Sequence, residues 1–216
     1  MEQNIIYFFD LLGTVVFAIT GAVRGVRLKL DFLGVIVFAC TVGVGGGMMR
    51  DTIIGATPVA ALQDKNYLIA CIITGIVVFF TAPRFRAEWN IIRYCDALGL
   101  GVFTAIGAAK GAEYGLNSIG IILTGVFTAV GGGVIRDVLA RRIPDVLTTD
   151  FYATASLLGG ILFCVMKSIF EFSFFTTFLI VMVFVTLIRV TAMVFHVKLP
   201  VAGYHLLRRK KRKNVR

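Results

Sequence analysis

Charge is scarce in this chain of 216 residues: 16% of positions are Asp, Glu, Lys or Arg, while 58% are apolar. A soluble domain carries roughly a quarter charged and about half apolar residues. The apolar residues fall in long runs, which excludes one thick soluble core and points to several membrane-crossing helices. Cys40, Cys71, Cys95 and Cys164 stand singly without C-x-x-C spacing, and His196 and His205 have no ligand-like neighbours. That excludes a zinc site or redox pair read from spacing. No nucleophile sits beside an evident base, so no enzyme, metal or cofactor is expected. No linker is long enough to mark a second domain. The N-terminus, MEQN, lacks the basic start of a cleaved signal, so the first span is expected to stay in the mature protein.

Seven mostly apolar stretches remain, near residues 5–23, 32–54, 67–83, 94–112, 117–139, 151–170 and 174–197. Lys and Arg gather on the cytoplasmic side of membrane proteins. Here they alternate from joint to joint: Arg24, Arg27 and Lys29 after span one, only Lys65 after span two, then Arg84, Arg86 and Arg93 after span three. Lys110 with Glu113 follows span four, and Arg141 with Arg142 follows span five. The alternation predicts an outer N-terminus and a cytoplasmic C-terminus. Trp89 and tyrosines 7, 67, 94, 114 and 152 fall at span ends, as interfacial anchors would. Residues 1–207 read as one transmembrane domain and 208–216, RRKKRKNVR, as a basic cytoplasmic tail. After a membrane span, that tail is expected to fix topology and touch anionic lipid rather than nucleic acid.

The chain also repeats itself. A shift of 86 residues aligns Asp10–Pro58 with Asp96–Pro144 without a gap, and 18 of the 49 positions are identical. Rare charges and glycine triplets fall in register: Gly45, Gly46, Gly47, Arg50 and Asp51 match Gly131, Gly132, Gly133, Arg136 and Asp137. Three spans per copy is an odd number, so the second copy enters the membrane from the opposite side. The predicted architecture is an all-α membrane protein of two inverted three-helix repeats, about 5–83 and 94–170, plus a seventh helix at about 174–197. Such repeats commonly place a permeation or substrate site near the midplane, at broken helices.

Glycine costs roughly 1 kcal/mol relative to alanine in a helix interior, so the triplets predict kinks or breaks in spans two and five. Neighbours on a helix point about 100° apart, which makes Arg50–Asp51 a poor direct pair. The symmetry suggests Arg50 with Asp137 and Arg136 with Asp51. Buried charges are normally paired or turned toward water; these could line a polar route or only staple the repeats. Gly13, Gly21 and Gly25, with Gly99, Gly107 and Gly111, form small-residue seams suited to close helix packing. Asp10 and Asp96 would lie at two pore mouths or in the headgroup region. Arg24 and Lys110, and separately Arg189, would snorkel toward lipid.

Paired GGG-x-x-R-D segments in spans two and five of a twice-repeated chain resemble the prokaryotic relatives of the trimeric intracellular cation (TRIC) channels. The resemblance covers about residues 5–197. It implies a homotrimer with a pore in each subunit between helices two and five, kinked at Gly45–Gly47 and Gly131–Gly133. It also implies potassium or sodium as permeant ions, no cofactor and lipid partners. The animal channels lack the Arg-Asp doublet in both repeats, so their calcium-store physiology is not carried over. The same bacterial group also resembles proteins described as small-amino-acid, notably glycine, transporters. Three readings follow: a potassium-favouring cation channel of the inner membrane, a secondary transporter of glycine or a similar amino acid, and a structural lipid-binding membrane protein.

Overall fold

The computed structural model describes residues 2–81, 89–148, 151–195 and 197. Arg84, Arg86, His196, His205 and the basic tail 208–216 lie outside the described residues, as does the side chain of Trp89. Every regular element described is helical: α1 Glu2–Arg27, α2 Phe32–Ile53, α3 Ala60–Gln63, α4 Lys65–Thr81, α5 Trp89–Glu113, α6 Ser118–Leu139, α7 Asp145–Thr148, α8 Ala153–Ser168 and α9 Phe174–Val194. Five of these (α1, α2, α5, α6 and α9) are long and apolar enough to cross a membrane by length and composition, and α4 and α8 are shorter apolar helices. Many large apolar side chains face outward, among them Leu33, Ile73, Phe80, Ile119 and Leu187. Lipid tails are as apolar as these side chains, so such a surface carries no penalty there.

The repeat is visible in local structure. Helix α2 begins after Asp31, whose carboxylate accepts the Gly34 N–H, and α6 begins after Asn117, whose amide oxygen accepts the Gly120 N–H. Each cap satisfies one of the N–H groups a helix start leaves unpaired. The turns match as well. Lys29 and Gly115, 86 residues apart, both adopt left-handed backbone, and so do Gly55 and Arg141. In each pair one copy uses glycine and the other tolerates a side chain where L-residues are disfavoured.

Packing shows how the copies relate. Helix α1 packs on α2, α4 and α5, while α5 packs on α6, α8 and α9. A Cβ on Gly13 would lie 3.2 Å from the Phe103 ring, and one on Gly99 would lie 2.7 Å from Phe17. The Phe17 and Phe103 rings meet at 5.1 Å. Residue numbers rise along α1 as they fall along α5, so these matched helices run antiparallel, as inverted repeats require.

Helices α2 and α6 cross in the same way and more closely. A Cβ on Gly46 would stand 2.2 Å from the Thr128 carbonyl oxygen, and one on Gly132 would stand 2.5 Å from that of Val42. The triplets therefore do not interrupt their helices: α2 and α6 each run continuously through them. The expected breaks are absent because the glycines serve a backbone-to-backbone crossing, the small-residue packing that membranes favour.

Two matched charge clusters as the candidate functional site

The antiparallel crossing decides where the arginines go. Arg50 and Arg136 each lie several residues beyond the contact, on opposite sides of it. At 1.5 Å per residue the two doublets stand roughly 14 Å apart along the helices. Reciprocal Arg50–Asp137 and Arg136–Asp51 pairs are therefore not formed. Each arginine instead pairs with its own neighbour: Arg50 Nε lies 2.8 Å from Asp51 Oδ1, and Arg136 Nε lies 3.1 Å from Asp137 Oδ1. Adjacent positions diverge in direction, but the arginine stem is long enough to fold its Nε back to the next carboxylate.

The second carboxylate oxygen has a separate task in both copies. Asp51 Oδ2 accepts the Ala60 N–H at 2.9 Å, and Asp137 Oδ2 accepts the Asp145 N–H at 3.0 Å. Ala60 and Asp145 open α3 and α7. One buried aspartate thus ties an arginine inside the helix bundle to the turn that follows.

Beyond this shared core the clusters differ. In the first, the Tyr67 hydroxyl donates to Asp10 Oδ2 at 2.8 Å. A cavity of about 20 Å³ lies among Asp10, Thr14, Gly47, Arg50, Asp51 and Tyr67, room for about one water molecule. In the second, Arg136 Nη1 lies 2.7 Å from Asp96 Oδ1 and donates to Thr20 Oγ1 at 3.3 Å. Its Nη2 lies 3.8 Å from the Asp145 carboxylate. Asp96 is 5% exposed and Arg136 3%, so this pair is buried within the protein. Asp10 is half-buried.

Tyrosines expected as interfacial anchors belong to the clusters. Tyr67 and Tyr152 are both buried. The Tyr152 hydroxyl would lie 2.8 Å from a Cβ on Gly133, a position also near Asp96 Oδ1. Arg189 of α9 does not snorkel outward: it is 4% exposed, with its guanidinium 4.9 Å from the centre of the Tyr152 ring. Arg24, expected to face lipid, is buried too. Lys110 is half-buried, with Nζ 5.9 Å from the Tyr114 ring centre.

Asp145, Tyr67, Tyr152 and Arg189 were not among the sequence-derived candidates. Tyr67 and Tyr152 stand 85 rather than 86 residues apart, just beyond the gapless register. Arg189 had a usable signal. It lies eight residues inside the predicted end of its span, about 12 Å deep at helical rise, a long reach for snorkelling.

The comparisons agree with this architecture. The family described as "Glycine transporter" matches the chain twice, over residues 7–83 and 93–168. A UPF0126 membrane protein of Vibrio cholerae is 42% identical over 205 residues, covering 93% of this chain and 84% of its own length. The UPF0126 inner membrane protein YadS of Escherichia coli is 38% identical over 198 residues, covering 91% and 95%. The TRIC channel orthologue of Rhodobacter sphaeroides superposes with a TM-score of 0.86 at 30% identity, covering 90% of this chain and all of that one. With its apolar helices, duplicated sequence and buried, paired charges, this chain is a multi-pass membrane protein that belongs to the bacterial TRIC channel family, within the group whose repeat is described as a glycine transporter.

Proposed function

We propose that the chain is a monovalent cation channel of the inner membrane that favours potassium, assembled as a homotrimer with a conduction path inside each subunit. The observation that carries this reading is the likeness over 90% of the chain to a protein described as a trimeric intracellular cation channel. A second solved relative, 31% identical with a TM-score of 0.83, is described in terms of conductance through TRIC cation channels. α4 and α8 complete a count of seven crossings, with the N-terminus outside and the C-terminus in the cytoplasm.

The path runs beside the crossing of α2 and α6, where bending at the glycine triplets would open it. Asp10 and Asp96 attract cations at its two ends. Asp51 and Asp137 neutralise Arg50 and Arg136, which would otherwise repel the permeant ion. In this reading the Arg136–Asp96 pair closes the path at that end, a role its 2.7 Å contact supports. Potassium or sodium passes as the transported ion, and membrane lipids surround the trimer.

The deciding experiment places purified protein in liposomes and measures potassium flux and labelled glycine uptake side by side. Unitary currents without saturable coupling are expected. Saturable glycine uptake with trans-stimulation and no unitary currents would replace this reading with the transporter that the repeat's description suggests. Absence of both would leave a structural, lipid-binding protein.

A further inference from the structure

Nearly every part of the two clusters has a partner 85 or 86 residues away, yet they are caught in different states. Arg136 is bonded across to Asp96 on α5. Its counterpart Arg50 bonds Asp51, while Asp10 on α1 holds the Tyr67 hydroxyl and a water-sized cavity is lined by both Arg50 and Asp10. The arginine-to-aspartate contact made across helices in one copy is thus not made between the matched residues of the other, which line a cavity of about 20 Å³ instead.

What distinguishes them comes from outside the shared pattern. Helix α9 packs on α5 and α8, in the second copy. There Arg189 sits over the buried ring of Tyr152, whose hydroxyl lies against Gly133 beside Asp96. Asp145 supplies a further carboxylate near Arg136; its counterpart in the first copy, Ala60, has none to offer.

We infer that α9 is a latch, with Arg189 as its positioning residue. By clamping Tyr152 over the second cluster, it holds Arg136 on Asp96. Withdrawing it releases that pair and lets Arg50 close onto Asp10 in the first. The molecule then has two exchanged states of similar internal construction, and α9 sets which one is populated. A pair of near-equivalent states needs only a small differential contact to shift its balance. The latch does not depend on what the protein transports.

The test is hydrogen exchange of the full chain in nanodiscs, read by mass spectrometry at the peptides holding Ala60 and Asp145. These amides bond the aspartate of each cluster. R189Q removes the guanidinium, and R189K keeps a cation over the ring. R189Q is expected to speed exchange at the Asp145 peptide about three- to thirtyfold, the range from a partly to a fully desolvated cation–π contact. It should slow exchange at the Ala60 peptide by a similar factor, and R189K should restore the wild-type pattern. A purely packing role would speed both peptides or only the second, and either result overturns the latch, as does no change. Should R189Q fail to fold, D145N decides: it weakens the second cluster from its surface turn, and the same opposite-sign pattern is required.

Discussion

The first charge cluster and the second are built from the same residues on matched helices, but one is loose and the other tight. Around Asp10 the contacts are a tyrosine hydroxyl and a cavity of about 20 Å³. Around Asp96 they include a guanidinium at 2.7 Å. Duplication thus preserved the parts without preserving their state. The parts in common are those that set backbone geometry: the helix caps, the left-handed turns, the axial glycines and the aspartate tied to each short helix. The parts that differ are the side chains contributed by neighbours outside the matched segment.

The sharpest break of this comparison is neutralisation of the two outer carboxylates. Taking one partner from a buried ion pair costs about 3–5 kcal/mol. Arg136 keeps Asp137, so D96N should lie near the lower end, about 3 kcal/mol on the same basis. D10N exchanges one hydrogen-bond acceptor for another and should cost about 1 kcal/mol. Unfolding of the two variants in mild detergent measures both. Equal losses would mean that the clusters are energetically equivalent.

The glycines should separate by position within each triplet. G46A and G132A drive a methyl group into a carbonyl oxygen of the facing helix, and overpacking of this kind costs about 1–3 kcal/mol. At Gly47 the nearest atom to an added Cβ is Arg50 Nη2 at 3.8 Å, whereas at Gly133 it is the Tyr152 hydroxyl at 2.8 Å. G47A should therefore gain up to about 1 kcal/mol from helix propensity, and G133A should not. The same unfolding assay resolves this, and a gain at both positions would erase the difference between the copies.

A smaller contrast lies in acid titration at the membrane surface. Burial, followed by repulsion from Asp137, raises the Asp145 carboxyl above the ordinary range. The unfolded chain ionises first as pH rises through that range, so this group removes stability up to its raised folded value, and the loss persists above it. The Tyr7 hydroxyl bonded to Asp64 holds that carboxyl below the ordinary range. Its contribution is complete above the usual carboxylate value and is lost as pH falls through the lowered one. Melting temperature against pH should lose the first trend in D145N and the second in D64N. Trends of the same sign would refute the assignment.

The smallest effects should come from the left-handed turns. K29G and R141G each relieve a side chain in left-handed backbone and should stabilise by under about 1 kcal/mol. G55A should destabilise by a similar amount, giving opposite signs at the matched positions 55 and 141.

Much of the fold was legible because hydrophobic runs and a gapless 86-residue repeat are properties of the sequence alone. The inversion followed from three spans per copy, and the antiparallel Phe17–Phe103 contact fits it. The glycine triplets stand out in the sequence, but the break that their propensity suggests does not form, since α2 and α6 run continuously through them. Helix propensity makes glycine look like a break, whereas the Thr128 and Val42 carbonyls that require it come from another helix. The cross-repeat ion pairs failed for a related reason. Symmetry identifies matching residues, but only the crossing register shows that inversion carries them apart. Tyr152 and Arg189 read from sequence only as an anchor and a snorkelling cation, because interfacial statistics treat tyrosine and arginine near a span end that way. Their inward placement depends on α9 packing against the second copy.

The crossing at Gly46 and Gly132 has one more consequence, in terms of ancestry. Its contacts are isologous: each side offers the other the same patch, as in a twofold homodimer. A single unduplicated copy would have had to recognise itself there, so any change on the axis would have altered both sides together. Covalent joining removed that constraint. Each side could then vary alone, and the additions around Asp96, from Asp145 to Arg189, are changes that a self-pairing half could not have made on one side only.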